Sequence, residues 1–207
     1  MQRPSQTNPT GRDYNAGGLS GAQLMELPQY AVVAYVKNGL GRFVEELRRE
    51  VDPRYGHLPA HMTILPPRLL RTSESAARGI LVELCCDQRP FEVSMGDVES
   101  FVPRSPVVFI RVAHAGYRMR ELHDRLNTGP FLSDEPWPYM PQLTIIKSDE
   151  PEHAQAVLAG IRQRWADYQG SRSIFIGELT FVRQTHGPHW DDLAPIQLGS
   201  SLASKTR

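Results

Sequence analysis

The chain has 207 residues, 40% hydrophobic and 22% charged, with Lys plus Arg equal to Asp plus Glu at 23 each. That size and apolar content suit one folded domain of moderate size and exclude a disordered or fibrous chain. The zero net charge excludes the broad basic footprint by which proteins grip long nucleic acid, so an anionic ligand must be bound locally.

Residues 1–27, rich in Gly, Ser, Asn and Gln, can bury little and are expected to form a flexible tail. They contain no continuous apolar segment fit for a signal peptide, and no stretch approaches membrane-spanning length, so neither export nor membrane association is expected. The only cysteines, Cys85 and Cys86, are adjacent, which suits neither a disulfide framework nor a thiolate metal site and points to a reducing cytoplasm.

From Tyr30 the run YAVVAYV reads as a strand, and GLGRFVEELRREV follows with Leu40, Phe43, Val44, Leu47 and Val51 at helical spacing, stopped by Pro53. The segment from His57 to Leu65 is extended and closed by Pro66 and Pro67; Thr72 or Ser73 then caps a helix reaching about Cys86. Residues 91–101 form another strand. The order then repeats, with a strand at 106–112, a helix at 117–127, an extended run at 139–147, a helix from Pro151 to Tyr168, and a strand at 174–184. Residues 193–199 return beside that last strand through a turn at THGPHWDD, and 200–207 end the chain as a flexible tail.

Tyr30 to His61 is 31 residues and Val107 to Gln142 is 35; His61 to Phe91 is 30 and Gln142 to Ile174 is 32. Such parallel spacing marks an internal duplication, with repeats at about 30–101 and 106–184 in a domain spanning 28–199. Each unit reads strand, helix, strand, helix, strand, which predicts an α+β fold of two sheets around a central cleft, with helices on the outer faces.

The corresponding middle strands carry AHMTI at 60–64 and PQLTI at 141–145, so His61 aligns with Gln142 and Thr63 with Thr144. Residues two apart on a strand face the same side, so each strand presents a polar pair to the cleft while Met62, Ile64, Leu143 and Ile145 face away. With this motif, spacing and duplication, residues 30 to 199 resemble the 2H phosphoesterase superfamily, which includes 2'-5' RNA ligase-like proteins and cyclic nucleotide phosphodiesterases.

The resemblance implies that each lobe presents a His-x-Thr motif, one histidine acting as base and the other as acid on a 2',3'-cyclic or 2'-5' phosphodiester of a small nucleotide or RNA end. The threonines would hold the non-bridging phosphate oxygens, with no metal or other cofactor. Imidazole titrates near neutrality and suits either role, and a fixed hydroxyl can donate to an oxygen that gains charge.

Gln142 departs from the pattern, because a carboxamide binds phosphate but exchanges no proton at neutral pH. Impaired hydrolysis and phosphate binding without turnover are therefore both open readings. Arg68 and Lys147 follow the two motifs and are candidate phosphate ligands. A metal held by His57 with His61, or by His186, His189, Asp191 and Asp192, is disfavoured, since Pro59 breaks the first spacing and a Gly-Pro turn explains the second. Trp137 and Tyr139 could stack on a base, but core packing is the simpler expectation.

Overall fold

The computed structural model describes residues 27–53, 58–185 and 189–203. In chain order the elements are β1 (Tyr30–Tyr35), α1 (Gly39–Val51), β2 (His61–Arg68), α2 (Glu74–Cys85), β3 (Phe91–Ser100), β4 (Val107–His114), α3 (Gly116–Leu126), β5 (Gln142–Lys147), α4 (Pro151–Asp167), β6 (Ser173–Ile176), β7 (Glu178–Gln184) and β8 (Trp190–Gln197). A last helical turn, α5, follows at Ser200–Ala203.

Local chemistry sets the helix starts. Asn38 caps α1, its Oδ1 accepting from the amides of Leu40 at 3.1 Å and Gly41 at 3.3 Å. Ser73 caps α2 by accepting from Ala76 N at 3.2 Å. In α1 the buried Leu40, Val44 and Leu47 form the expected apolar stripe. Gly41 lets that helix start against β1, since a Cβ there would stand 1.7 Å from the carbonyl oxygen of Val36.

The strands make one antiparallel sheet in the order β6-β3-β4-β5-β2-β1-β7-β8. The two sheets expected from the sequence are thus halves of one, meeting between β2 and β5 at the pair Met62 and Leu143. Each repeat lends its third strand to the other half: β3 pairs with β4, and β7 with β1. The helices interlock likewise, α1 packing on β5 and α3 on β2, with α4 on β3 and β4 and α2 on β8.

All four cover one face of the sheet, where Met62, Ile64, Leu143 and Ile145 join Leu47, Leu81, Met119, Leu122 and Ile161 in one core. Burying such side chains is worth about 1.5–3 kcal/mol each. Slipping β2 or β5 by one residue would expose two of them and bury the polar pair instead, a loss comparable to the whole stability of a domain. The apolar alternation therefore holds His61, Thr63, Gln142 and Thr144 on the other face.

Three expectations change. β2 runs on through Pro66 and Pro67, because the pairs Val32 with Leu65 and Tyr30 with Arg68 enclose a bulge where the prolines need not donate to the ladder. The strand read at 174–184 is two strands broken at Gly177, β6 pairing with β3 and β7 with β1. These lie six places apart in the sheet, so a one-residue connection requires the sheet to curl until its ends approach. Ser200–Ala203 is a helical turn rather than a tail, with Ser201 donating to the Cys86 carbonyl from N at 2.9 Å and Oγ at 2.7 Å. The expected N-terminal tail, apart from Leu27, lies outside the described residues, as do His57 and His186.

Candidate functional site

Counting in the antiparallel sense from Met62 and Leu143 puts His61 beside Thr144 and Thr63 beside Gln142. Tyr35 pairs with His61 and Val33 with Thr63 on one side; Phe109 pairs with Thr144 and Arg111 with Gln142 on the other. Two rows therefore cross the junction on the helix-free face: Tyr35, His61, Thr144, Phe109 and, beside it, Val33, Thr63, Gln142, Arg111. Neighbouring strands lie about 4.8 Å apart, so the four motif residues occupy adjacent positions. All four are half-buried.

His61 is fixed by its ring. Its Nδ1 lies 2.8 Å from the carbonyl oxygen of Pro59 and can only donate to it, which leaves Nε2 as the acceptor. Burial, then the charge of Arg48, push the imidazole down to about 4 against the opposing pull of the Pro59 carbonyl. At neutral pH it is an uncharged base. Tyr35 stands edge-on to it, with ring centroids 6.4 Å apart, and donates to Asp192 Oδ1 at 2.5 Å.

Beneath the junction lies Arg48, buried on α1. Its Nη1 donates to the carbonyls of Leu58 at 2.9 Å and Pro59 at 3.2 Å, and its Nη2 to that of Thr144 at 2.6 Å. One guanidinium thus ties the approach to β2, and the carbonyl that orients His61, to β5. Burial lowers it to about 10, still a cation at neutral pH.

In the second half, Gln142 Nε2 is 3.4 Å from Thr144 Oγ1, while its buried Oε1 has no hydrogen-bond partner. Arg111 is the cation of this half, with its side chain 41% exposed. It stands against Glu99 at 2.8 Å and Asp97 at 3.4 Å.

Arg68 does not reach the site. It is buried and bonded to Pro66 O, Asn127 Oδ1, Phe131 O and Glu135 Oε1, where it holds the loop after α3. Lys147 is exposed at the end of β5, opposite Val107. Tyr139 packs as expected, stacked on His123 at 4.2 Å and donating to Thr63 O at 2.8 Å, whereas Trp137 is 70% exposed. His123 is buried under Tyr139, and His114 sits at the end of β4 opposite Ser94, so neither supplies the missing imidazole. Asp191 and Asp192 are engaged by Arg183 and Tyr35.

Sequence reasoning missed Arg48, Tyr35 and Arg111. Arg48 is one of six charged residues in GLGRFVEELRREV, and nothing in the sequence singles it out. Tyr35 and Arg111 become equivalent only when each is paired with its motif neighbour, since one precedes it by 26 residues and the other by 31.

The model of the 2'-5' RNA ligase superfamily matches residues 37–187. The chain belongs to that superfamily. It is 26% identical over 146 residues to a Bacillus licheniformis protein named as a candidate phosphoesterase, covering 68% of this chain and 83% of that one. A crystal structure of a phosphoesterase superposes with a TM-score of 0.52 at 17% identity, covering 84% of this chain and 99% of the other. Escherichia coli LigT complexed with NADP+ gives 0.51 at 15%, covering 84% and 98%; its complex with ATP gives 0.51 at 15%, covering 83% and 98%. The structural likenesses show the curled α+β fold of LigT-like phosphoesterases. Among the described residues no helix is long and apolar enough to cross a membrane.

Proposed function

We propose that this member of the superfamily hydrolyses a 2',3'-cyclic or 2'-5' phosphodiester of a nucleotide or RNA end, slowly, with one imidazole in place of two. The observation that carries the reading is the pairing of Met62 with Leu143, which sets His61, Thr63, Gln142 and Thr144 side by side on the open face. The nucleotides bound by LigT support this class of ligand.

In the proposed step Thr63 and Thr144 donate to the non-bridging oxygens, and Nε2 of His61 takes a proton from water as its oxygen bonds to phosphorus. The bond from phosphorus to the ribose oxygen breaks on the opposite side, and that oxygen receives a proton from solvent while the His61 imidazolium returns its own to solvent. Gln142 cannot deliver one. Lys147 is available at the end of β5 as an outlying phosphate ligand. The step uses imidazole and hydroxyl chemistry and calls on no metal.

The test is hydrolysis of 2',3'-cyclic nucleotides and 2'-5' oligonucleotides in EDTA. Turnover lost in His61→Ala supports the reading; turnover indifferent to that change removes it. Gln142 also favours a second reading, a nucleotide or RNA-end binder without turnover. Tight binding with no hydrolysis at any pH would select it.

A further inference from the structure

The two halves are related by a local two-fold axis between the rows, which superposes Tyr35 and His61 on Arg111 and Gln142. The first half places a phenol, bonded to Asp192, beside an imidazole. The second places a guanidinium beside a carboxamide. A proton-transfer pair is thus matched by a pair with a permanent positive charge and no exchangeable proton near neutrality.

We infer that Arg111 and Gln142 form an anion subsite that binds the phosphate group of the substrate and one of its hydroxyls, so that the second half holds charge where the first moves protons. The inference rests on the phosphodiesterase reading above and deepens it.

Two buried atoms without a hydrogen bond belong to residues paired across β4 and β5. Gln142 Oε1 is buried without a hydrogen bond, and Arg111 Nε, though 2.8 Å from Glu99 Oε1, is not aligned to donate to it. An acceptor beside a donor on neighbouring strands matches a group that accepts from one and donates to the other: a ribose hydroxyl or a protonated phosphate oxygen. Buried polar atoms without partners are rare in folded chains and mark places where a ligand completes the set.

The acids facing Arg111 do not close the site. Asp97 is 85% exposed and Glu99 44% exposed. Such exposed pairs are weak, and the singly charged phosphodiester competes with them for the guanidinium. Phe109, two residues before it on β4, is 1% exposed and packs at a tilt against Phe101, ring centroids 4.5 Å apart, giving this flank an apolar floor. An ion on Arg111 is therefore less solvated than one on an open surface.

The experiment titrates the full chain with inorganic phosphate by calorimetry and measures KM and kcat for 2',3'-cyclic AMP. It compares the native protein with Arg111→Gln, Arg111→Lys, the double change Asp97→Asn with Glu99→Gln, and His61→Ala. Arg111→Gln is expected to weaken phosphate binding and raise KM by about 10-fold to 100-fold, the usual worth of a charged hydrogen bond. Arg111→Lys should recover part of this. Removing the two acids should tighten phosphate binding severalfold, a gain that a merely structural cross-strand pair would not give. Phosphate affinity within twofold of native in Arg111→Gln, with His61→Ala still abolishing turnover, would overturn the subsite and leave the phosphodiesterase reading standing. A native chain that neither binds phosphate nor turns over the cyclic nucleotide would remove both.

Discussion

His61 is held by one hydrogen bond through Nδ1 and kept uncharged by burial and by Arg48. An imidazole depressed from 6.5 to about 4 gains no proton in the folded chain until the medium is quite acidic. Between those values the unfolded chain binds the proton and the folded chain does not, so this residue makes stability rise with pH across the window. The contribution is complete above the unfolded value and is lost as pH falls through the folded one. Urea midpoints of the native protein and His61→Ala should therefore converge as pH is lowered from 7 toward about 4; a constant difference would show that the ring titrates normally. Gln142→His should raise kcat by about 10²-fold or more, because the added imidazole supplies a proton transfer that the carboxamide cannot. An unchanged rate would mean that an acid at this position cannot reach the leaving oxygen.

Among the elements, α1 carries more of the site than its sequence suggests. Its Arg48 gathers three carbonyls from β5 and from the approach to β2. Arg48→Met keeps the stem but leaves those acceptors buried, and it should cost about 3 kcal/mol in unfolding free energy, with a larger fall in kcat than in binding as His61 loosens. Gly41→Ala should cost at least about 3 kcal/mol, since a methyl group there meets the Val36 carbonyl rather than a side chain that can swing away. Equilibrium denaturation of each variant measures both. The helices and most strands were legible because their apolar periods match their geometry. The β6 and β7 pair was not, because Ile174, Ile176, Leu179 and Phe181 all face the core and disguise the end of one strand and start of the next at Gly177. The Pro-Pro end of β2 misled for the opposite reason: it is a bulge, where a strand tolerates proline.

For the whole molecule, duplication was legible in spacing, and it located the motif strands on both sides of the junction. Spacing could not show that the repeats exchange strands, nor that β2 and β5 meet with His61 opposite Thr144, since register belongs to the assembled sheet. Arg68 shows the same limit: placed after the first motif, it is a plausible phosphate ligand in sequence and a buried tie for the loop in the fold. On the proposed reading the two half-sites are unequal in chemistry, one moving a proton and one holding an anion. The most direct test of that claim is the dependence of kcat/KM on pH for a 2',3'-cyclic nucleotide, compared between the native chain and His61→Ala. One rising acid limb, absent in the variant, with no falling limb from a second imidazole, is the expected result. A bell-shaped profile with two limbs near neutrality, or a profile that survives His61→Ala, would contradict it.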